Sequence, residues 1–142
     1  MGEKIRQRLK QEKFSSHEQE AVLNLFLANN YLKKKMDEVC SGFSITNAQY
    51  NVLRILRGAY PEGYPRCEII PRMIDQAPDV TRIIDNLEKQ QLIVRLNSSE
   101  DRRLSITRIT EKGLDILRQM EDGINAINKH LTGTLTDAEI IC

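Results

Sequence analysis

The 142-residue chain is marked first by what it lacks. No stretch approaches the roughly 18–20 consecutive apolar residues needed to cross a bilayer, so no membrane partner is expected. The opening Met1-Gly2-Glu3-Lys4-Ile5-Arg6 has no apolar core of a secretory signal, which makes the cytoplasm the expected compartment. Cysteines are few and odd in number (Cys40, Cys67 and Cys142), with no Cys-x-x-Cys, and the only histidines are His17 and His130. A disulfide framework or a structural zinc is therefore not expected, and no metal or other cofactor is implied. Excess charge is missing too. At a net +1, any case for nucleic acid rests on where the arginines sit rather than on how many there are. Enzyme signatures are absent: there is no G-x-S-x-G, no P-loop, no H-E-x-x-H, and no constellation of Cys with His or of paired carboxylates.

What is present is enough for one globular domain over 1–142. The chain is 40% hydrophobic, which supplies a core, and 29% charged, which is ordinary for a solvated surface. Residues 3–13 read as a mobile or weakly helical lead-in. Ser15 and Ser16, followed by Glu18 and Gln19, form a capping-box start for a long helix over 16–40. Its positions Val22, Phe26, Ala28 or Asn29, Leu32, Met36 and Val39 recur at spacings of three or four, and Leu23, Leu25, Leu27 and Tyr31 widen the stripe. A stripe this broad calls for more cover than one small module gives, so a partner chain is expected. Gly42 is read as closing this helix.

Thr46-Asn47-Ala48-Gln49 opens a second helix with its own capping box, and Gly58 is read as its stop. The Pro and Gly content of residues 60–65 predicts a loop, followed by a short helix over about 68–74. Pro78 suits the first position of the next helix, with Asp79 at the positive end of its dipole. There Val80, Ile83, Ile84 and Leu87 follow the i, i+3, i+4, i+7 rule, while Thr81, Arg82, Asp85, Asn86 and Lys89 lie opposite. The period then changes. Leu92-Ile93-Val94-Arg95-Leu96 and Leu104-Ser105-Ile106-Thr107-Arg108-Ile109 read as strands joined by a turn-rich, charged tip. Thr110 caps a last long helix with Leu114, Leu117, Met120, Ile124, Ile127 and Leu131 on one face, and Thr136-Asp137-Ala138-Glu139 is a further capping box. The expected fold is thus mainly α with a small two- or three-stranded β wing, a winged helix-turn-helix over 45–110 flanked by long helices.

Four linked segments sharpen this reading: Val80-Thr81-Arg82 with Asp85, Leu87 and Glu88; Leu92-Ile93-Val94-Arg95; Asp101-Arg102-Arg103; and Ile109-Thr110-Glu111-Lys112-Gly113. In this order and at similar spacing they resemble the V-T-R-x-x-D-x-L-E, L-V-x-R, D-x-R and L-T-x-x-G segments of the MarR family of bacterial regulators, over about residues 20–140. The resemblance implies a homodimer built on helices 16–40 and 111–142. It further implies a sequence-specific, double-stranded-DNA-binding transcriptional regulator, in expectation a repressor, with a small aromatic or phenolic effector as its release signal. Thr81 and Arg82 match positions that touch bases and phosphates in a major groove. Arg103 matches a wing residue reaching into the minor groove, held by Asp101, and Arg102, Arg95 and Arg108 are expected on phosphates. An arginine fork suits both guanine edges and phosphates, and a narrow A·T-rich minor groove focuses the negative potential that attracts it. Tyr31, Tyr50, Tyr60 and Tyr64 are candidates for an effector cleft. One departure stands out: where the family usually has Gly after the recognition helix, this chain has Gln91. The competing expectation is a winged helix that binds protein and has lost DNA binding.

The cysteines are read mainly as small packing residues. Cys40 sits at a helix C-terminus, where the dipole disfavours a thiolate, whereas Cys67, beside Arg66, has the better electrostatic setting.

Overall fold

The computed structural model describes residues 2–75, 79–97 and 105–132. By compactness the chain divides into two units, Met1–Met36 and Asp37–Cys142. In the first unit the lead-in is a formed helix, α1 (Gly2–Leu9), rather than mobile chain. Helix α2 (His17–Ser41) begins as its serines predict: Gln19 N donates to Ser16 Oγ at 3.2 Å, and Ser15 N and Oγ donate to Gln19 Oε1 at 2.7 and 2.8 Å.

The end of α2 is a correction. The left-handed residue that closes it is Ser44 (φ +58°), not Gly42. Ser44 N bonds to Ser41 O and Ile45 N to Cys40 O, the paired 5→2 and 6→1 bonds of a Schellman cap. Ile45 and Cys40 are both buried, which supplies the apolar contact that usually accompanies this cap.

Helix α3 (Asn47–Gly58) has the complete capping box expected of it: Gln49 N donates to Thr46 Oγ1, and Thr46 N donates to Gln49 Oε1. Its stop falls one residue later than predicted, with Ala59 as the C-cap. The segment expected to be pure loop contains a strand, β1 (Tyr64–Pro65), and the helix expected over 68–74 is displaced. It comprises α4 (Arg66–Ile69) and a 3-10 turn (Ile70–Arg72). Pro71 sits at the start of that turn, where its missing N–H costs nothing. Asn51, buried on α3, accepts from Ile74 N at 2.8 Å and so pins the chain just beyond the turn.

Helix α5 (Val80–Lys89) starts with Asp79 as its N-cap, accepting from Arg82 N at 3.2 Å. Asp79 thus caps the helix rather than sitting inside its first turn, and Pro78 lies outside the described residues. Strands β2 (Ile93–Asn97) and β3 (Ser105–Ile109) follow, then α6 (Glu111–Thr132). The sheet is antiparallel in the order β1-β3-β2, with Tyr64 opposite Thr107 and Arg95 also opposite Thr107. Gly63 makes the third strand possible. Its φ is +86°, and a Cβ there would stand 2.3 Å from the Thr107 carbonyl oxygen.

One core holds the second unit together. Val52, Leu53 and Leu56 of α3, Ile69 of α4, Ile84 and Leu87 of α5, Ile93 and Ile109 of the sheet and Leu117 and Met120 of α6 are all buried. Each such side chain contributes about 1.5–3 kcal/mol. The capping box at Thr136 lies outside the described residues.

Candidate nucleic-acid interface

Helix α5 has two unlike faces. Val80, Ile84 and Leu87 are buried and Ile83 is half-buried, which fixes the rotation of the helix about its axis. Thr81, Arg82 and Lys89 are thereby left exposed. The backbone N–H of Arg82 is satisfied by Asp79, but among the described residues its guanidinium has no hydrogen-bond or ion-pair partner. The local pairing with Asp79, Asp85 or Asn86 that would have neutralised this side chain is not formed.

Arg95 behaves differently. Its Nη1 donates to Asp85 Oδ1 at 2.8 Å and its Nε to Glu88 Oε2 at 2.9 Å, while Nη2 also binds Glu88 Oε2. Its backbone N–H donates to Glu88 Oε1 at 3.3 Å. The side chain expected on a phosphate here latches β2 to α5, using its rigid fork against two carboxylates. Hydrogen bonding from Arg95, opposed by partial burial, holds the Glu88 carboxyl below its ordinary pKa. Arg95 lies opposite Thr107 and Arg108 opposite Val94, so strand alternation puts the two arginines on opposite faces of the sheet. Arg108 Nε is buried without a partner among the described residues.

The corner between α5 and β2 is built around Gln91. It adopts φ +61°, the left-handed conformation for which glycine is the usual residue. Gln91 N donates to Glu88 O and Leu92 N to Leu87 O, a second Schellman cap with both leucines buried. The Thr110-Glu111-Lys112-Gly113 segment then grips the corner from outside. Thr110 Oγ1 donates to Gln91 O and Lys112 Nζ to Gln90 O, each at 2.8 Å. Gly113 is needed for the approach, because a Cβ there would lie 2.4 Å from Leu92 O and 2.7 Å from Ile109 Cγ1. Gln91, where the resemblance implies Gly, thus takes up the left-handed conformation that glycine favours.

Burial falls away along the hairpin. Ile93 and Ile109 at its base are buried, whereas Leu96, Asn97 and Ser105 are exposed, so its far end projects from the core. Asp101, Arg102 and Arg103, expected from the sequence at the tip, lie outside the described residues. Of the tyrosines, Tyr60 donates to Glu111 Oε1 at 2.7 Å and the Tyr64 ring carries the Arg72 guanidinium at 4.6 Å. Tyr31 has Lys35 Nζ 5.9 Å from its ring centre, and Tyr50 is half-buried.

Comparison with known proteins identifies the family to which this arrangement belongs. The model of the MarR family matches residues 45–105. The crystal structure of a MarR transcription factor from Planctomyces limnophilus is 34% identical, with a TM-score of 0.72 over 90% of this chain and 93% of that one. The chain belongs to the MarR family. A mutant MarR from Escherichia coli, complexed with operator DNA, is 25% identical with a TM-score of 0.71, covering 82% of this chain and 83% of that one. The HTH-type transcriptional regulator PrsX of Escherichia coli is 28% identical over 112 residues, 79% of this chain and 68% of that protein. This MarR-family protein is accordingly a transcriptional regulator on a winged-helix DNA-binding scaffold, and not an enzyme. No helix among the described residues is long and apolar enough to cross a membrane.

Sequence reasoning missed two parts of this surface. The latch of Arg95 onto Asp85 and Glu88 had a signal in the sequence, since two carboxylates three residues apart share one helix face. Arg66, whose Nη1 donates to Thr81 Oγ1 at 2.6 Å, had none, because the pair is fifteen residues apart and meets only through the turn between two helices.

Proposed function

We propose that this regulator binds double-stranded DNA sequence-specifically as a homodimer in the cytoplasm, and that it represses transcription until a small aromatic or phenolic effector releases it. Helix α5 enters the major groove, which is wide enough for an α-helix, and Thr81 and Arg82 meet base edges and phosphates there. The observation that carries this reading is the exposed Arg82 guanidinium with no partner among the described residues, on a helix whose opposite face is anchored in the core. Arg103 of the wing enters the minor groove, steadied by Asp101, with Arg102 on the adjacent backbone. The exposure of Leu96, Asn97 and Ser105, the described ends of the two strands nearest the wing tip, supports that placement. Arg95 serves as the positioning residue that ties wing to helix.

The second copy is supported by α2. Only Cys40 of its 25 residues is buried, while Val22, Leu25 and Phe26 are 49%, 71% and 61% exposed. Apolar side chains at that spacing form one stripe, and a contiguous stripe of this size marks an association surface. We assign helices 16–40 and 111–142 to dimerisation and 45–110 to the winged helix-turn-helix. An effector would act by preferring the form of the dimer that cannot reach two half-sites at once.

The test is recovery of genomic fragments by the purified protein, with light scattering during size exclusion on the same sample. The reading expects a dimer and a recovered set sharing a two-fold-related motif with half-sites about one helical turn apart. A monomer, or fragments without a shared motif, contradicts it.

A further inference from the structure

Arg66 is the first residue of α4 and is exposed, and its side chain turns toward the recognition helix. Nη1 donates to Thr81 Oγ1 at 2.6 Å, and among the described residues this is the guanidinium's one partner. The nearby carboxylate Glu68 is committed elsewhere: its Oε2 and its backbone oxygen both accept from Arg72, which also stacks on Tyr64. Arg66 is thus an uncompensated cation anchored to the one hydroxyl that α5 presents beside Arg82.

The anchoring changes what Thr81 can do. A threonine hydroxyl offers one donor and two acceptor sites. Arg66 takes an acceptor site, so the O–H is left to donate. Together the two side chains present mostly donors, namely the remaining N–H groups of Arg66 and the O–H of Thr81, around a positive charge. That set disfavours cations and fits an anion with several acceptor oxygens. A guanidinium already held at one N–H also loses less freedom on binding than a free side chain.

We propose that Arg66 and Thr81 form a single clamp for a DNA backbone phosphate, which adds Arg66 to the interface. The inference rests on the reading of α5 as the DNA-facing helix. The clamp positions the N-terminal end of α5 along the backbone, and Arg82 beside it is left to face the groove. Because a phosphate contact carries no sequence information, its loss weakens binding to every duplex alike.

The probe is a fluorescent duplex of mixed sequence, titrated with parent protein, Arg66→Ala, Arg66→Lys, Thr81→Val and the control Arg118→Ala, from about 50 to about 200 mM salt. Arg66→Ala binds roughly tenfold more weakly at low salt, and its slope of log affinity against log salt is shallower by about one for each Arg66 engaged. Arg66→Lys keeps the slope and recovers part of the affinity, since an ammonium supplies the charge without the fork. Thr81→Val binds more weakly with the parent's slope, and Arg118→Ala, on α6 and paired with Asp115, matches the parent throughout. All positions changed are exposed, and circular dichroism confirms the fold of each variant. An Arg66→Ala protein with the parent's affinity and slope overturns the clamp while leaving the recognition helix in place. A parent that does not bind the duplex at low salt overturns the DNA-binding reading and the clamp with it.

Discussion

Thr110 Oγ1 donates a 2.8 Å hydrogen bond to the carbonyl of Gln91, joining the start of the last helix to the single left-handed residue between recognition helix and wing. The bond holds in place a conformation that an L-residue adopts only at a cost of about 1–2 kcal/mol. Gln91→Gly is therefore expected to stabilise the protein by about 1 kcal/mol, read as a rise in the midpoint of chemical denaturation. Gly113→Ala is expected to destabilise it by about 1–3 kcal/mol, because the new methyl meets backbone at Leu92 O and the Ile109 side chain. A Gln91→Gly protein no more stable than the parent would show that the corner carries no strain.

Arg95 is expected to matter for DNA without touching it. Arg95→Met should weaken operator binding while leaving the salt slope at the parent's value, because no phosphate contact is lost. A slope shallower by about one per protomer would instead put Arg95 on a phosphate. The pair is exposed, so its effect on stability stays at or below about 1 kcal/mol. Its pH dependence has a definite sign. Glu88 has a depressed pKa in the fold, so the latch contributes fully above the ordinary carboxylate range and is lost as pH falls through the folded value. Acid titration of stability in Arg95→Met should lack that increment.

The fold was legible where its determinants are local. The Thr46–Gln49 capping box, the periodicity of Val80, Ile84 and Leu87, and the change of period at Leu92 each lie within a few residues, and each is formed as read. What was not legible depends on distant partners. Tyr64 and Pro65 are a strand only because Thr107 and Ile106 lie beside them, and no alternation shows in two residues. The α4 region defeats a simple helix reading because Arg66 starts it early and Pro71 tightens it into a 3-10 turn. For the interface, the sequence pointed to Thr81 and Arg82. The spacing of Asp85 and Glu88 on one helix face carried a signal for the Arg95 latch that went unread, whereas nothing local shows that Arg66 reaches Thr81.

Thiol chemistry is not expected to be the switch. Cys40 is wholly buried inside the cap of α2, and burial, reinforced by the charge of Asp37, pushes its pKa up to about 11. Its thiolate is scarce at neutral pH, and the thiolate is the reactive form. Iodoacetamide with mass spectrometry should label exposed Cys67 quickly and spare Cys40 until the protein unfolds. Replacing Cys40, Cys67 and Cys142 together by Ala should leave DNA binding, and any response of it to peroxide, as in the parent. Rapid labelling of Cys40 in the native state, or an oxidant response lost in the triple variant, would contradict this.

The wing enters the account through the residues at its tip. Arg103→Ala should weaken operator binding by about 1–3 kcal/mol per contact, and Asp101→Ala should do so less, since it frees the arginine without removing it. Thermal melts of both should stay within about 0.5 kcal/mol of the parent if, as the sequence implies, the two residues lie on a solvated hairpin tip. An Arg103→Ala protein that binds its operator as tightly as the parent would remove the wing from the mechanism.

The central claim is that α5 reads base sequence through Arg82, and selection from a pool of random duplexes tests it most directly. The parent and Arg82→Ala, both folded by circular dichroism, would be carried through the same rounds and their recovered sequences compared. The account predicts that the parent selects a two-fold-related site. It predicts that Arg82→Ala loses preference at one symmetry-related position in each half-site, with a discrimination loss of about 1–3 kcal/mol there and little change elsewhere. Recovery of the same site with the same preferences by both proteins would contradict it.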